Sequence, residues 1–402
     1  MRVLAVTRAR FVSGSDYRAL RVLSMYPRRP TLLIPRDLKL SIMGKLDKLF
    51  GPWSGRVRAL LDDAIEIKDS PEGGSLLDQL RYVKYLARIV REVGKGHDIA
   101  YFTHSRLTYS MGLMLSGMPW TSMLQVTPGV GSVVVDEGQG VRLLLRNLRL
   151  RGSVGVDRLL EKYAQLQLFK RIHGGTLTLA VSRSVVYELR RLGINIPMLV
   201  VDPGNGVDPC VSGGDRDIDV VFYSRITQEK GALDFMRIVR ALSRLRRLRV
   251  VMMGWGGGAL VDLLKKMNPG NVEFRLNVDR DEAMRTLAAS KVMIYPTMLD
   301  AFPLVILEAL SCGTPVIAHD IPAVRFNFNT RAVVKVRPLD YRSFIEATLK
   351  LLDSDLRELS TEAYNFARRF TWDEVVRSEW NALGKVLEYW ERFPHQPLPC
   401  HS

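Results

Sequence analysis

Apolar positions along this chain recur in two rhythms. Short stretches of strand length, largely apolar, aromatic or β-branched, occupy residues 3–7, 31–35, 98–104, 120–127 and 176–182 in the first half. Similar runs at 219–224, 249–254, 271–276, 291–296, 315–318 and 333–336 fill the second. Most show no strict alternation, which is the pattern of strands buried on both faces. Between them apolar residues return at helical spacing, as in Leu77, Leu80, Val83, Leu86 and Val90. Strand and helix in alternation predict a parallel sheet covered by helices. Turn formers gather at Pro203, Gly204 and Gly206 and again at Ser212, Gly213 and Gly214, which places a linker near residues 203–217. At 402 residues the chain is long enough for a core on each side of it.

One stretch, residues 290–325, gathers the candidate chemistry. Lys291 to Pro296 reads as a buried strand, followed by a loop with Asp300 at its tip. Pro303 suits the first turn of a helix that runs through Leu304 and Glu308 to Leu310, and Gly313 is placed to end it. Pro315 to Ala318 is the next parallel strand. A ligand of such a unit sits beyond the strand's carboxyl end. The backbone around Phe302, Pro303, Leu304 and Val305, at the helix start, is suited to an anion. Earlier in the same half, Arg225 and Lys230 follow the run 219–224, and Gly254, Gly256, Gly257 and Gly258 follow the run 249–254. Two cations at the mouth of a parallel sheet can neutralise a diphosphate.

This constellation resembles the signature of family-4 retaining glycosyltransferases. Their pattern is glutamate, seven residues, glutamate, then a small-residue run ending Cys-Gly-Thr-Pro-Val. Here Asp300 and Glu308 take the two acidic places, and Cys312-Gly313-Thr314-Pro315-Val316 follows. The resemblance is close from about residue 176 to 390 and includes Arg225 and Lys230, the Gly254 loop and Phe370-Thr371-Trp372. It implies a GT-B architecture: two Rossmann-like parallel-sheet domains facing a cleft, with a C-terminal helix crossing back to the first domain. The domains expected are 1–205 on the acceptor side, 206–380 for the nucleotide sugar, and 381–402 as the returning helix and tail. It further implies a nucleoside-diphosphate sugar as donor. Glu308 would hold ribose, Asp300 the transferred sugar, and Arg225 with Lys230 the leaving diphosphate. Gly14, Gly254, Leu276 and the backbone of Phe302 to Val305 would complete the donor site. Gln125 stands where the family often has a histidine, His104 ends another strand, and Arg325 replaces a common glutamate.

Composition narrows the partners. The net charge of +16 is uneven: residues 1–200 hold 31 Lys and Arg against 16 Asp and Glu, a balance of +15, and the rest is nearly neutral. Residues 38–61 and 141–151 interleave basic with apolar side chains, as an interfacial segment does and as an amphipathic helix packed on a core with a solvated basic face also does. These features point to an anionic membrane surface and a lipid-linked acceptor, with a carbohydrate acceptor as the alternative. The expected setting is cytoplasmic, peripheral on the inner face of the membrane, since no run approaches the ~20 apolar residues of a span. No recognised nucleic-acid module accompanies the charge, so nucleic acid is not an expected partner. Cys210, Cys312 and Cys400 are odd in number and far apart, which argues for no disulfide framework. No His/Cys/Asp ligand cluster is visible, so neither a cofactor nor an obligatory metal is expected. Two other classes fit parts of the pattern: a non-catalytic nucleotide-sugar-binding subunit, and a basic nucleic-acid binder.

Overall fold

A computed structural model describes residues 1–8, 14–71, 74–128, 156–210 and 215–393. They form two compact units. The first takes the described residues up to Asn205 together with those from Trp372 onward, and the second spans Gly206–Thr371.

The first unit is built on a seven-stranded parallel sheet. Its strands are β1 (Val3–Val6), β2 (Thr31–Pro35), β3 (Ile65–Ile67), β4 (Ile99–Phe102), β5 (Trp120–Leu124), β6 (Thr178–Ala180) and β7 (Met198–Val200), in the order 3-2-1-4-5-6-7. Every residue of β1, β4 and β5 is buried, as the unbroken apolar runs of β1 and β4 require. The three-residue β3 and β7 were not legible in the apolar pattern. The helix Leu76–Val93 turns Tyr82, Leu86 and Val90 into the core beside Phe102, Tyr109 and Trp120.

The helix Trp372–Arg392 belongs to this unit, as a returning C-terminal helix does. It carries Glu379 into the interior, where Arg18 Nη2 lies 2.7 Å from its carboxylate. The hydroxyls of Tyr26 and Tyr101 donate to the same group at 2.6 and 3.0 Å. A buried ion pair needs such added hydrogen bonds to offset its desolvation. Near the helix end, Trp390 donates from its indole to the carbonyl of Trp120 at 3.1 Å.

Residues 38–61 form the helices Arg36–Met43, Leu46–Phe50 and Ser54–Asp62, with a single 3-10 turn at Gly51–Trp53. Leu38, Ile42, Leu46, Phe50, Val57 and Leu60 are buried, so most of this segment's apolar pattern fills the core and does not face an interface. Leu40 alone among its large aliphatics stays well exposed, at 59%. Residues 141–151 lie outside the described ones. Among the described residues no helix is long and apolar enough to cross a membrane.

The second unit holds a six-stranded parallel sheet. Its strands are β8 (Ile218–Tyr223), β9 (Val250–Gly254), β10 (Val272–Leu276), β11 (Ser290–Tyr295), β12 (Val316–His319) and β13 (Val333–Val336), in the order 10-9-8-11-12-13. The order reverses between β8 and β11, which pair in register Val220 to Val292. Such a switch point opens a crevice beyond the carboxyl ends of the two strands. The two parallel-sheet units are the Rossmann-like pair expected.

One expectation fails here. Cys210 and Cys312 form a disulfide, with Cα atoms 4.9 Å apart at a sequence separation of 102. Long separation in the chain says nothing of distance in space: the segment leading into β8 passes the end of the helix Leu304–Ser311. Arg216 fastens the same turn, donating to the carbonyls of Ser290, Cys312 and Gly313 and to Thr314 Oγ1.

Candidate active site

The loop after β8 and the loop after β11 meet at the switch point. Gly231, at φ 80°, stands against the carbonyl of Pro296, where a Cβ would lie only 2.0 Å from that oxygen. Only glycine permits that approach. Met298 N–H donates to the carbonyl of Glu229 at 2.9 Å, stitching the loops together. Lys230 is thereby aimed across to the second loop. Its Nζ lies 2.7 Å from Asp300 Oδ2 and 2.8 Å from the carbonyl of Leu299. Tyr295 donates from its hydroxyl to the same Asp300 oxygen at 2.9 Å, and Ala301 N–H donates to the other at 3.0 Å.

This cluster is shielded from solvent, and that sets its charges. Burial works against the Lys230 ammonium, but Asp300 and Tyr295 outweigh it, so the lysine is held above its ordinary value. Burial and the Asp300 charge push Tyr295 up to about 12, which keeps its hydroxyl a donor. Arg225 is exposed and makes no side-chain ion pair among the described residues; its charge is felt at Lys230. Two of the sequence's candidates, Lys230 and Asp300, thus come together, with Arg225 near enough for its charge to act on the lysine.

The helix Leu304–Ser311 starts one residue later than Pro303, which stands at its N-cap. Phe302 turns its ring inward, edge-on to Phe328 and Phe370, so only its backbone can serve a ligand. At the far end Gly313 N–H and Thr314 N–H return to Leu310 and Ala309 at 2.9 Å each, a Schellman closure with Gly313 at φ 69°. Glu308 lies in this helix, almost fully buried. Burial pushes its carboxyl up, and Arg280 works against that from 2.7 Å with a hydrogen bond from Tyr223.

Gly254 ends β9 at φ 147°, and a Cβ there would fall 1.6 Å from the carbonyl of Ser224. The glycine loop can therefore press its backbone onto the loop that carries Arg225. Leu276 ends the neighbouring β10, and Asn277 N–H donates to the carbonyl of Gly254 at 2.8 Å. Of the candidate donor-binding residues, only Gly14 falls in the first unit, where it opens the helix Gly14–Ser24.

Several residues read from sequence find partners of their own. His104 Nε2 lies 3.0 Å from Asp16 in the first unit, and burial holds the imidazole below its ordinary value despite that carboxylate. Gln125 donates to the carbonyls of Ser15 and Thr103 at 3.3 and 2.8 Å. Arg325 pairs with Asp320 at 3.0 Å. Sequence reasoning missed Tyr295, Arg280 and Asp208. Tyr295 had a usable signal, since it ends the strand that leads to Asp300. Among the described residues no group of three His, Cys, Asp or Glu is placed to hold a metal ion.

Residues 217–354 match the family described as Glycosyl transferases group 1. A D-inositol 3-phosphate glycosyltransferase of Streptomyces bingchenggensis is 30% identical over 128 residues, which cover 30% of this chain and 27% of that protein. Relatives of that kind are matched over about a quarter to a half of their own length. Among solved structures, sucrose-phosphate synthase from Thermosynechococcus elongatus superposes with a TM-score of 0.69 at 15% identity, covering 97% of this chain and all of that one. Anabaena HepE in complex with UDP-glucose gives 0.63 at 15% identity, covering 96% of this chain and 100% of that one. Likeness at such identities carries the fold. The chain has the GT-B fold, and its residues 217–354 match the family described as Glycosyl transferases group 1.

Proposed function

We propose that this protein is a retaining, metal-independent glycosyltransferase that moves a sugar from a nucleoside-diphosphate sugar to an acceptor. The observation that carries this reading is the joining of Lys230, Asp300 and Tyr295 at the switch point, with Glu308 in the following helix. Cleaving the donor leaves negative charge on a diphosphate. Lys230 and the exposed Arg225 would receive it, with backbone amides of the helix start near Phe302, Leu304 and Val305. Gly254 and Leu276 would border the nucleoside, and Glu308 would accept from its ribose hydroxyls. Asp300 would orient the sugar while holding Lys230. Retention then needs no protein nucleophile: the acceptor attacks from the face the diphosphate leaves.

We place the acceptor at an anionic membrane surface, as a lipid-linked molecule, on the charge of the first half. The helix Leu76–Val93 supports this reading with its outer face. Leu76, Leu77 and Leu80 are 74, 56 and 42% exposed, and the exposed Arg81, Lys84 and Arg88 follow them. Leucines beside cations suit a headgroup boundary.

A thermal-shift series with nucleoside diphosphates tests the donor site. A ligand at 100 times its dissociation constant adds about 2.7 kcal/mol to stability. At least one nucleoside diphosphate is expected to raise the melting temperature of the wild type, and Glu308→Ala to abolish most of that rise. No rise with any of them would remove the nucleotide from the reading.

A further inference from the structure

Glu308 does not stand alone in the interior. Arg280, the first residue of the helix Arg280–Ala288, reaches it with Nη1 at 2.7 Å from Oε1, and the two side chains are only 21 and 3% exposed. The same guanidinium turns Nη2 toward Asp208 Oδ2 at 3.6 Å. Asp208 lies two residues before the disulfide cysteine Cys210, on the segment that enters the second unit, and Cys312 follows Glu308 by one helical turn. That segment is therefore tied to one face of the signature helix twice, by a disulfide and through Arg280.

We propose that Arg280 is a positioning residue of the donor site, holding Glu308 fixed and ionised as the acceptor for ribose hydroxyls, with Asp208 sharing its guanidinium. The inference rests on the reading that Glu308 meets the ribose. A buried carboxyl without a counter-charge takes up a proton instead of staying charged. Protonated, it offers one donor and a weaker acceptor. Ionised, it has about four lone-pair sites, and charge-assisted hydrogen bonds are roughly twice as strong as neutral ones. Arg280 and the Tyr223 hydroxyl engage the group from the protein side and still leave capacity for a vicinal diol. A forked guanidinium holds two nitrogens in one fixed plane, one toward each carboxylate, whereas a lysine offers a flexible point charge.

The test compares ribose with 2′-deoxyribose. UDP, GDP and ADP and their 2′-deoxy forms are titrated into the full-length wild type, Arg280→Gln and Glu308→Gln, at neutral and alkaline pH. The wild type is expected to prefer a ribonucleotide by about tenfold or more, the scale of a lost charge-assisted hydrogen bond. In Arg280→Gln the preference falls to within about twofold at neutral pH and returns as pH rises and Glu308 ionises. Inorganic pyrophosphate, which has no ribose, binds both proteins alike. An undiminished preference in Arg280→Gln, or one lost without return at high pH, overturns the inference. Absence of any ribose preference in the wild type instead overturns the role given to Glu308. Should Arg280→Gln not fold, Arg280→Lys decides. Its flexible point charge is not fixed on Glu308 and is drawn to Asp208 as well, so its ribose preference drops severalfold and recovers when Asp208→Asn is added; equal preference with and without Asp208→Asn overturns the inference.

Discussion

The chemistry of the second unit depends on how few atoms separate its charges. Asp300 is one methylene shorter than the glutamate usual in the family it resembles, and it sits in hydrogen-bond contact with Lys230 and Tyr295. The pair keeps the lysine protonated in a shielded place, which a leaving diphosphate requires. The spacing of Asp300 and Glu308 was legible in the sequence because both belong to one strand–loop–helix unit. Arg280 and Asp208 were not, because their link to Glu308 exists only in space. In the first unit, His173 is fully buried, between Phe169 and Trp120, and shares hydrogen bonds with Thr178 and Ser110 at 2.9 and 3.1 Å. Burial drives its pKa down to about 3. A depressed histidine stabilises the fold fully above its unfolded pKa, near 6.5, and that stability drains as pH falls toward 3. From this one group, stability at pH 5 is expected to be about 2 kcal/mol lower than at pH 8. Urea unfolding at the two values, in wild type and in His173→Gln, reads it; the histidine assignment fails if the pH-dependent difference is the same in both.

Among the elements, the long central strands were legible and the short edge pieces were not. β9 and β12 are short, largely apolar runs, every residue of which is buried. β3 and β7 are three residues each, too short for any period to declare itself. Residues 38–61 left two readings open in the sequence. An apolar stripe beside lysines reads alike whether it meets lipid or a protein core, and here its leucines turn mostly inward. The disulfide between Cys210 and Cys312 was hidden because the strand order, not the sequence, brings the two together. The returning helix Trp372–Arg392 has its own test in Glu379. Removing one partner of a buried ion pair leaves the other uncompensated, at a cost of about 3–5 kcal/mol. Glu379→Ala is therefore expected to lose about that much stability by urea denaturation. A loss under 1 kcal/mol would show that Arg18 and the two tyrosines do not depend on it.

Across the whole molecule, charge is divided as the chemistry is. The first 200 residues carry nearly all of the +16, whereas the candidate donor site is in the nearly neutral remainder. Each Lys or Arg close to an anionic bilayer contributes about 1 kcal/mol, and the attraction fades with salt as the Debye length shrinks from about 10 Å at 0.1 M to about 3 Å at 1 M. Sedimentation with anionic vesicles at low salt is expected, with release at 1 M salt and little binding to neutral vesicles. Leu76→Ser with Leu77→Ser should weaken it severalfold. Failure to sediment with anionic vesicles at low salt would leave the acceptor soluble. The most direct measurement is release of nucleoside diphosphate from a panel of nucleotide sugars by the purified protein, alongside Lys230→Ala and Asp300→Ala. At least one donor is expected to be turned over. Lys230→Ala should slow release by roughly a hundredfold, as lost transition-state electrostatics do, while Asp300→Ala loses sugar transfer but still binds the bare diphosphate. Turnover unchanged in Lys230→Ala, or binding of nucleotide sugars with no turnover of any, would contradict a catalytic site at the β8–β11 switch point.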